Sequence, residues 1–211
     1  MGQRFQSVFI LPSIYMNEDN PNNRNEKAFI FHNQWLYGFE ACEVNLIIMN
    51  RLKKAISKRK DCGHFAKTKE EFINHFLEGS LNNAIKWAGL QDLHNERTFH
   101  ESGAFEMGKE VKLSNELIRQ DNNNGFFICI IDKELNLKYG FISGLEDTEI
   151  YSLKTPEEYF KLFYTEKQFK ELSKHDKKVF EDLKKFKAIT TLKPIIEEMN
   201  EHLLMVENSR N

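Results

Sequence analysis

The sequence predicts an α+β domain in which two β-hairpins form one antiparallel or mixed sheet, covered by amphipathic helices, with a helical C-terminal third. Three observations carry that prediction. β-rich apolar runs come in two pairs, 5–15 with 28–36 and 126–131 with 137–142, and a polar loop divides each pair. Over 39–58 the apolar residues recur at three- and four-residue spacing, the period of a helix with one buried face. From Thr155-Pro156 onward the pattern is helical. The 211 residues, 40% hydrophobic and 29% charged, suffice for a single domain over 1–211 with a proper core. Residues 155–207 are a candidate helical subdomain within it.

The first strand, 5–15, offers Phe9, Leu11 and Ile14 as apolar surface. A loop rich in Asn and Glu, with Pro21, follows at 17–26 and is too polar to pack. The second strand runs from Ala28 to Leu36, and Gly38 breaks the chain before a helix. That helix, 39–58, lines up Ala41, Val44, Ile48, Leu52 and Ala55, and its end is basic. Cations there are favoured by the unsatisfied carbonyls, by about 0.3–1 kcal/mol each. A further helix starts at Thr68, where Glu71 completes a capping box, and reaches Gly89 with a bend expected at Gly79-Ser80. Residues 90–125 read as a long polar loop with a short helix at 114–120. Phe126–Ile131 and Leu137–Ile142 form the second hairpin around Asp132–Asn136, and a short strand is expected at 148–152. Thr155-Pro156-Glu157-Glu158 is a helix start with a cap, a proline at the first helical position and a Glu three residues on. Helices are expected over 156–173, 176–187 and 194–207. Each hairpin needs its single apolar face covered, so the two are expected to share one sheet.

Composition narrows the function classes. Residues 1–125 hold sixteen basic and sixteen acidic side chains and 126–211 fourteen and sixteen, for a net charge of −2. Neither half has the cationic excess of a protein that binds nucleic acid by neutralising phosphates, so nucleic acid is not the favoured partner. The three cysteines, Cys42, Cys62 and Cys129, are widely spaced with no CxxC pair, as expected in a reducing compartment. No apolar run approaches the roughly 20 residues of a membrane span, and no charged-then-apolar leader opens the chain. The expectation is a cytoplasmic protein.

Catalytic and metal signals are each outweighed by an ordinary alternative. Cys62, His64 and His75 lack the paired spacing of a zinc site. His94, Glu96, His100 and Glu101 could support acid–base chemistry, but polar loops commonly have this composition. Cys129, inside the apolar run FFICII, reads as core. Cys42 has no base near it in sequence. The aromatic stripe Tyr159, Phe160, Phe163, Tyr164, Phe169 reads as core. No catalytic residue, metal site or cofactor is assigned.

Two stretches are candidate binding surfaces. Arg51, Lys54 and Lys58, in the basic end of the 39–58 helix, could meet phosphate or an acidic protein, although a solvated helix end explains them as well. Residues 27–38, KAFIFHNQWLYG, run an apolar strand into His32, Gln34, Trp35 and Tyr37. Hairpin pairing should bring Arg4 beside Trp35 and Tyr37, where an arginine stacked on a ring contributes about 0.5–2 kcal/mol.

The opening Met1-Gly2-Gln3-Arg4 together with Trp35, Tyr37 and Gly38 resembles a group of small phage and prophage proteins of low-GC Gram-positive bacteria. These begin Met-Gly-Gln-Arg and carry a Trp-x-Tyr-Gly segment entering a helix. The resemblance covers residues 1–55, and the group has no established activity. It implies an accessory protein that binds a bacterial host protein, for example a defence-system effector, and inhibits or modulates it. The alternatives are a small hydrolase or nucleotide-binding protein using His94 and His100, and a nucleic-acid-binding regulator using 51–60. If the Trp35 corner is structural, Trp35→Ala should lower stability by about 3–5 kcal/mol in chemical denaturation. A variant that melts like wild type but loses its partner would identify the corner as a binding rim instead.

Overall fold

A computed structural model describes residues 4–11, 27–34, 36–58, 68, 71–87, 102–106, 125–132, 134–143 and 151–190. At Arg4, His32 and Gln34 it describes the backbone. Among the described residues seven strands form one mixed sheet: β1 (Arg4–Leu11), β2 (Lys27–Gln34), β3 (Ser102–Glu106), β4 (Phe126–Ile131), β5 (Leu137–Ser143), β6 (Ser152–Lys154) and β7 (Lys187–Ala188). Their order across the sheet is β3-β2-β1-β4-β5-β6, with β7 also on β5. The helices are α1 (Gly38–Ser57), α2 (Glu78–Trp87), α3 (Pro156–Lys161), α4 (Glu166–Lys170) and α5 (Lys174–Leu183). The chain is therefore α+β with a mixed sheet.

Both expected hairpins form. β1 pairs antiparallel with β2 from Arg4 opposite Gln34 to Leu11 opposite Lys27. β4 pairs antiparallel with β5 from Phe126 opposite Ile142 to Ile131 opposite Leu137. They meet through a parallel pairing of β1 with β4, Gln6 opposite Phe126 through Ile10 opposite Ile130. The β4–β5 turn is held by Asp132, whose Oδ1 accepts from the backbone N–H of Glu134 (3.0 Å) and of Asn136 (2.8 Å). Leu135 takes the left-handed φ of 65° in this turn. That costs a non-glycine residue roughly 1–2 kcal/mol, and burial of its side chain to 6% exposure offsets it.

Alternate residues of the central strands enter a core roofed by α1 and the C-terminal helices. Phe5 and Phe9 of β1, Phe29 and Phe31 of β2, Phe127 and Cys129 of β4 and Tyr139 and Phe141 of β5 all lie in it. α1 contributes Ala41, Cys42, Ile48, Met49 and Leu52, the face that its periodicity predicts. The opposite face is buried as well: Val8, Ile10, Phe126, Ile128 and Ile142 are at most 3% exposed. The expectation of a single apolar face per hairpin is thus corrected. FFICII is apolar at every position, the mark of a strand covered on both sides.

Four further expectations change. β3 lies inside 90–125, in a part that the sequence suggested was loop. SGAFE has weak strand propensity, and it is the edge of β2 that recruits it, with Phe31 opposite Ser102 and Lys27 opposite Glu106. The strand expected at 148–152 is centred later, at Ser152–Lys154. Thr68 and Glu71 do form the reciprocal capping box, but the irregular turn of that helix is a π-helical stretch at Phe72–Leu77, ahead of Gly79-Ser80. Its wider turn carries Phe72 and Leu77, five residues apart and both fully buried.

The fourth change concerns the C-terminal helices. The helices expected over 156–173 and 176–187 are three short ones, and each start has its own capping box: Thr155 with Glu158, Thr165 with Gln168, Ser173 with Asp176. After Leu183 the chain turns and Lys187–Ala188 pairs parallel with Lys138–Tyr139 of β5. The helices expected at 114–120 and 194–207, and the polar loop at 17–26, lie outside the described residues.

Tyr159 joins these layers. It is fully buried, stacked on Phe141 at 4.6 Å and in ring contact with Phe5 at 5.7 Å and Phe163 at 5.2 Å. Its hydroxyl accepts the backbone N–H of Gly38, at an α1 N-terminus that Tyr37 leaves without a side-chain cap. Tyr159→Ala should cost about 3–5 kcal/mol and Tyr159→Phe only about 1 kcal/mol, the net contribution of one hydrogen bond. Urea denaturation checks both, and equal losses would show that the hydroxyl, not the ring, carries the packing.

Candidate functional site

The residues singled out from the sequence fall into separate places. Arg4 faces Gln34 and Gln6 faces His32 across the hairpin, so Arg4, His32 and Gln34 occupy register positions of one sheet face. Trp35 and the side chains of Arg4, His32 and Gln34 lie outside the description, and with them the expected arginine stack. Tyr37 is half-buried and packs toward the C-terminal helices, 5.4 Å from Phe163 and 6.5 Å from Tyr164 between ring centres. Gly38 follows with φ +54°, and a Cβ there would run into the Tyr164 ring, which is why glycine stands at this junction. Arg51, Lys54 and Lys58 are at the far end of α1, about 20–30 Å away at 1.5 Å per residue. Tyr37 and the basic residues therefore cannot share one small-ligand site.

The titratable groups of the apolar interior are chemically quiet. Burial pushes the Cys42 thiol well above its ordinary range, and the Cys129 thiol likewise. Burial also raises the phenols of Tyr139 and Tyr159, with the neighbouring Cys42 adding to the effect. A thiol held neutral is a poor nucleophile, so Cys42 reads as core. Asn45, also buried on α1, donates its amide to the Ala41 carbonyl at 2.8 Å. Among the described residues no three His, Cys, Asp or Glu side chains gather as metal ligands, and no helix is long and apolar enough to cross a membrane. His64, His94, Glu96, His100 and Glu101 lie outside the described residues.

The basic end of α1 is a surface. Ile47, Arg51, Lys54 and Lys58 recur at four-, three- and four-residue spacing and are all exposed, Ile47 at 37%, so they form one outward stripe. The adjacent side of the helix enters a cleft of about 420 Å³ bounded by Lys53, Ile56, Asp132, Asn136, Lys138, Lys185, Phe186 and Lys187. Lys53 Nζ sits 5.0 Å above the Phe186 ring. The sequence pointed to Arg51, Lys54 and Lys58. It gave no sign of Lys138, Lys185 and Lys187, which two distant pieces of chain bring to the same cleft as Lys53.

The cleft is ordered by the β4–β5 turn. Asp132 Oδ2 holds Lys138 Nζ at 3.1 Å, and its oxygens also take the Asn136 side-chain amide at 3.1 and 3.2 Å. Burial works against ionisation of Asp132, but the backbone and side-chain hydrogen bonds from Asn136 and the charge of Lys138 outweigh it and hold the carboxyl below its ordinary value. A depressed folded value means stability that is fully present above the unfolded pKa of about 3.9 and lost as pH falls through the folded one. Asp132→Asn should therefore be less stable than wild type at neutral pH, with the gap closing in acid. Urea midpoints at pH 7 and at about pH 3 test this; a gap that does not change with pH would mean the carboxylate charge is not what holds the turn.

No protein-family model, curated protein or solved structure matches this chain.

Proposed function

We propose that this chain is a phage- or prophage-encoded accessory protein that works inside the bacterial host cell by binding a host protein and inhibiting or modulating it, an anti-defence inhibitor being the role we favour. The observation that carries the reading is the outward stripe of α1. It combines one exposed aliphatic side chain, Ile47, with three cations, Arg51, Lys54 and Lys58, and it stands on a helix whose other face is locked into the core. A rigid helix offering an apolar anchor ringed by charge is a common way to engage a partner surface. The opening Met-Gly-Gln-Arg and the Tyr37-Gly38 junction support the phage origin by their resemblance. The quiet chemistry of Cys42 favours binding over nucleophilic catalysis.

The test is capture from a host lysate with the wild-type protein and with an Arg51→Glu/Lys54→Glu/Lys58→Glu variant. Surface changes of this kind usually alter stability by less than about 0.5 kcal/mol each, so the variant should melt near wild type. The wild type should retain one host protein in stoichiometric amount, and the variant should lose it. Retention by both would remove the stripe from the interface. Retention of nucleic acid alone, abolished by moderate salt, would replace this reading with the regulator.

A further inference from the structure

A second hollow lies beside the basic cleft, and Phe186 forms a wall of both. This groove, about 450 Å³, is lined by Gly140, Leu153, Ala188 and Ile189, with Lys154 and Lys184 at its rim. It exists because two short strands share the outer edge of β5. β6 covers Phe141–Ser143 and β7 covers Lys138–Tyr139, leaving Gly140 between them. A Cβ on Gly140 would come to 2.6 Å from Leu153 Cδ1, so the missing side chain lets Leu153 lie directly on the strand and form the groove wall.

The two hollows differ in chemistry. The groove is mainly aliphatic, and the cleft is cationic. Together they are bounded by the acidic residues Asp132, Glu157 and Glu158, and each is already engaged within the protein. Asp132 holds Lys138 at 3.1 Å, Glu157 holds Lys184 at 2.8 Å, and Glu158 takes the Thr155 N–H at 2.7 Å in the capping box. Lys185 is paired with Asp182. Lys154 lies near the Glu158 carboxylate, whereas Lys53 and Lys187 have no carboxylate partner among the described residues.

From this we infer that the paired hollows are a docking site for an extended acidic segment of a partner protein. One aliphatic side chain of the segment enters the groove at Leu153 and Ile189, and flanking carboxylates meet Lys53 and Lys187. The inference rests on the reading of the chain as a protein binder and adds the chemistry of what it binds. A peptide fits better than a polyphosphate or nucleic acid strand because the groove beside the cations is walled by Leu153, Ala188, Ile189 and Phe186, which a phosphate chain has no group to fill.

Fluorescence anisotropy on the full chain at low ionic strength tests it, with labelled Glu-Asp-Leu-Asp-Glu and Glu-Asp-Ser-Asp-Glu peptides as probes. The leucine peptide should bind about tenfold more tightly, the effect of burying one aliphatic side chain. A Lys53→Glu/Lys187→Glu variant, both positions being exposed, should weaken the leucine peptide by at least about tenfold, with an unchanged melting curve. Equal binding of the two peptides, or no loss in the variant, would overturn the site. Displacement of the peptide by pyrophosphate or a DNA oligonucleotide at lower concentration than by unlabelled peptide would also overturn it, in favour of a phosphate ligand. If the peptides fail while the α1 stripe still captures a host protein, the docking site falls and the binding function stands.

Discussion

The parallel pairing of β1 with β4 is the contact on which the rest of the molecule depends. Each hairpin can form from its own segment, but neither alone encloses a core. Laying Gln6–Ile10 beside Phe126–Ile130 places Phe9 5.8 Å from Phe127 and makes a surface wide enough for α1 and Tyr159 to seal. Contacts between such distant parts of the chain carry a loop-closure entropy that local contacts avoid. The burial of both sheet faces is the compensating gain. It explains why β4 is apolar at every position, whereas along the β1–β2 hairpin the same face changes from polar to apolar, with Arg4 and Gln6 opposite Gln34 and His32 and then Val8 and Ile10 opposite Ile30 and Ala28.

How far the sequence discloses this structure depends on how local each signal is. The two hairpins and α1 were readable because their periodicity lies within each segment. The capping boxes at Thr165–Gln168 and Ser173–Asp176 were equally local. The first marks a helix start inside 156–173, which apolar spacing alone reads as one helix, and the second sets the start of the next helix at Lys174, ahead of 176. β3 and β7 were not readable. Ser102–Glu106 and Lys187–Ala188 have little strand propensity, and the open edges of β2 and β5 make them strands.

The candidate site divides in the same way. Arg51, Lys54 and Lys58 were legible because they follow one another along a helix. Lys53 stands in the same run, but its role differs by a rotation of about 100° per residue around the axis, which turns it toward Phe186 while Lys54 faces outward. Lys138, Lys185 and Lys187 sit in β5, after α5 and in β7, and only the closing of β7 onto β5 gathers them. Sequence reasoning gave weight to the dense aromatic segment ending at Tyr37. The structure shows Tyr37 packed against Phe163 and Tyr164, the structural use that aromatic residues at a strand end most often have.

The charge distribution shows how a chain of net charge −2 can still present a cationic surface. Net charge describes the field far from the protein. Within a Debye length of about 8 Å at physiological salt, a partner meets only the local groups. Around Phe186 the acids are already committed: Asp132 closes a turn, Glu157 and Asp182 tie down Lys184 and Lys185, and Glu158 caps α3. Those commitments order the backbone of β5, α3 and α5 and spend the negative charge on the fold itself. Lys53 and Lys187 face the clefts without a carboxylate neighbour among the described residues. Complementary charge of this kind speeds encounter and fixes orientation more than it adds affinity, so the grip must come from the apolar wall of Phe186, Leu153 and Ile189 beside it. A partner docked at this face, as we propose, would need both hollows together, with charge selecting it and the groove retaining it.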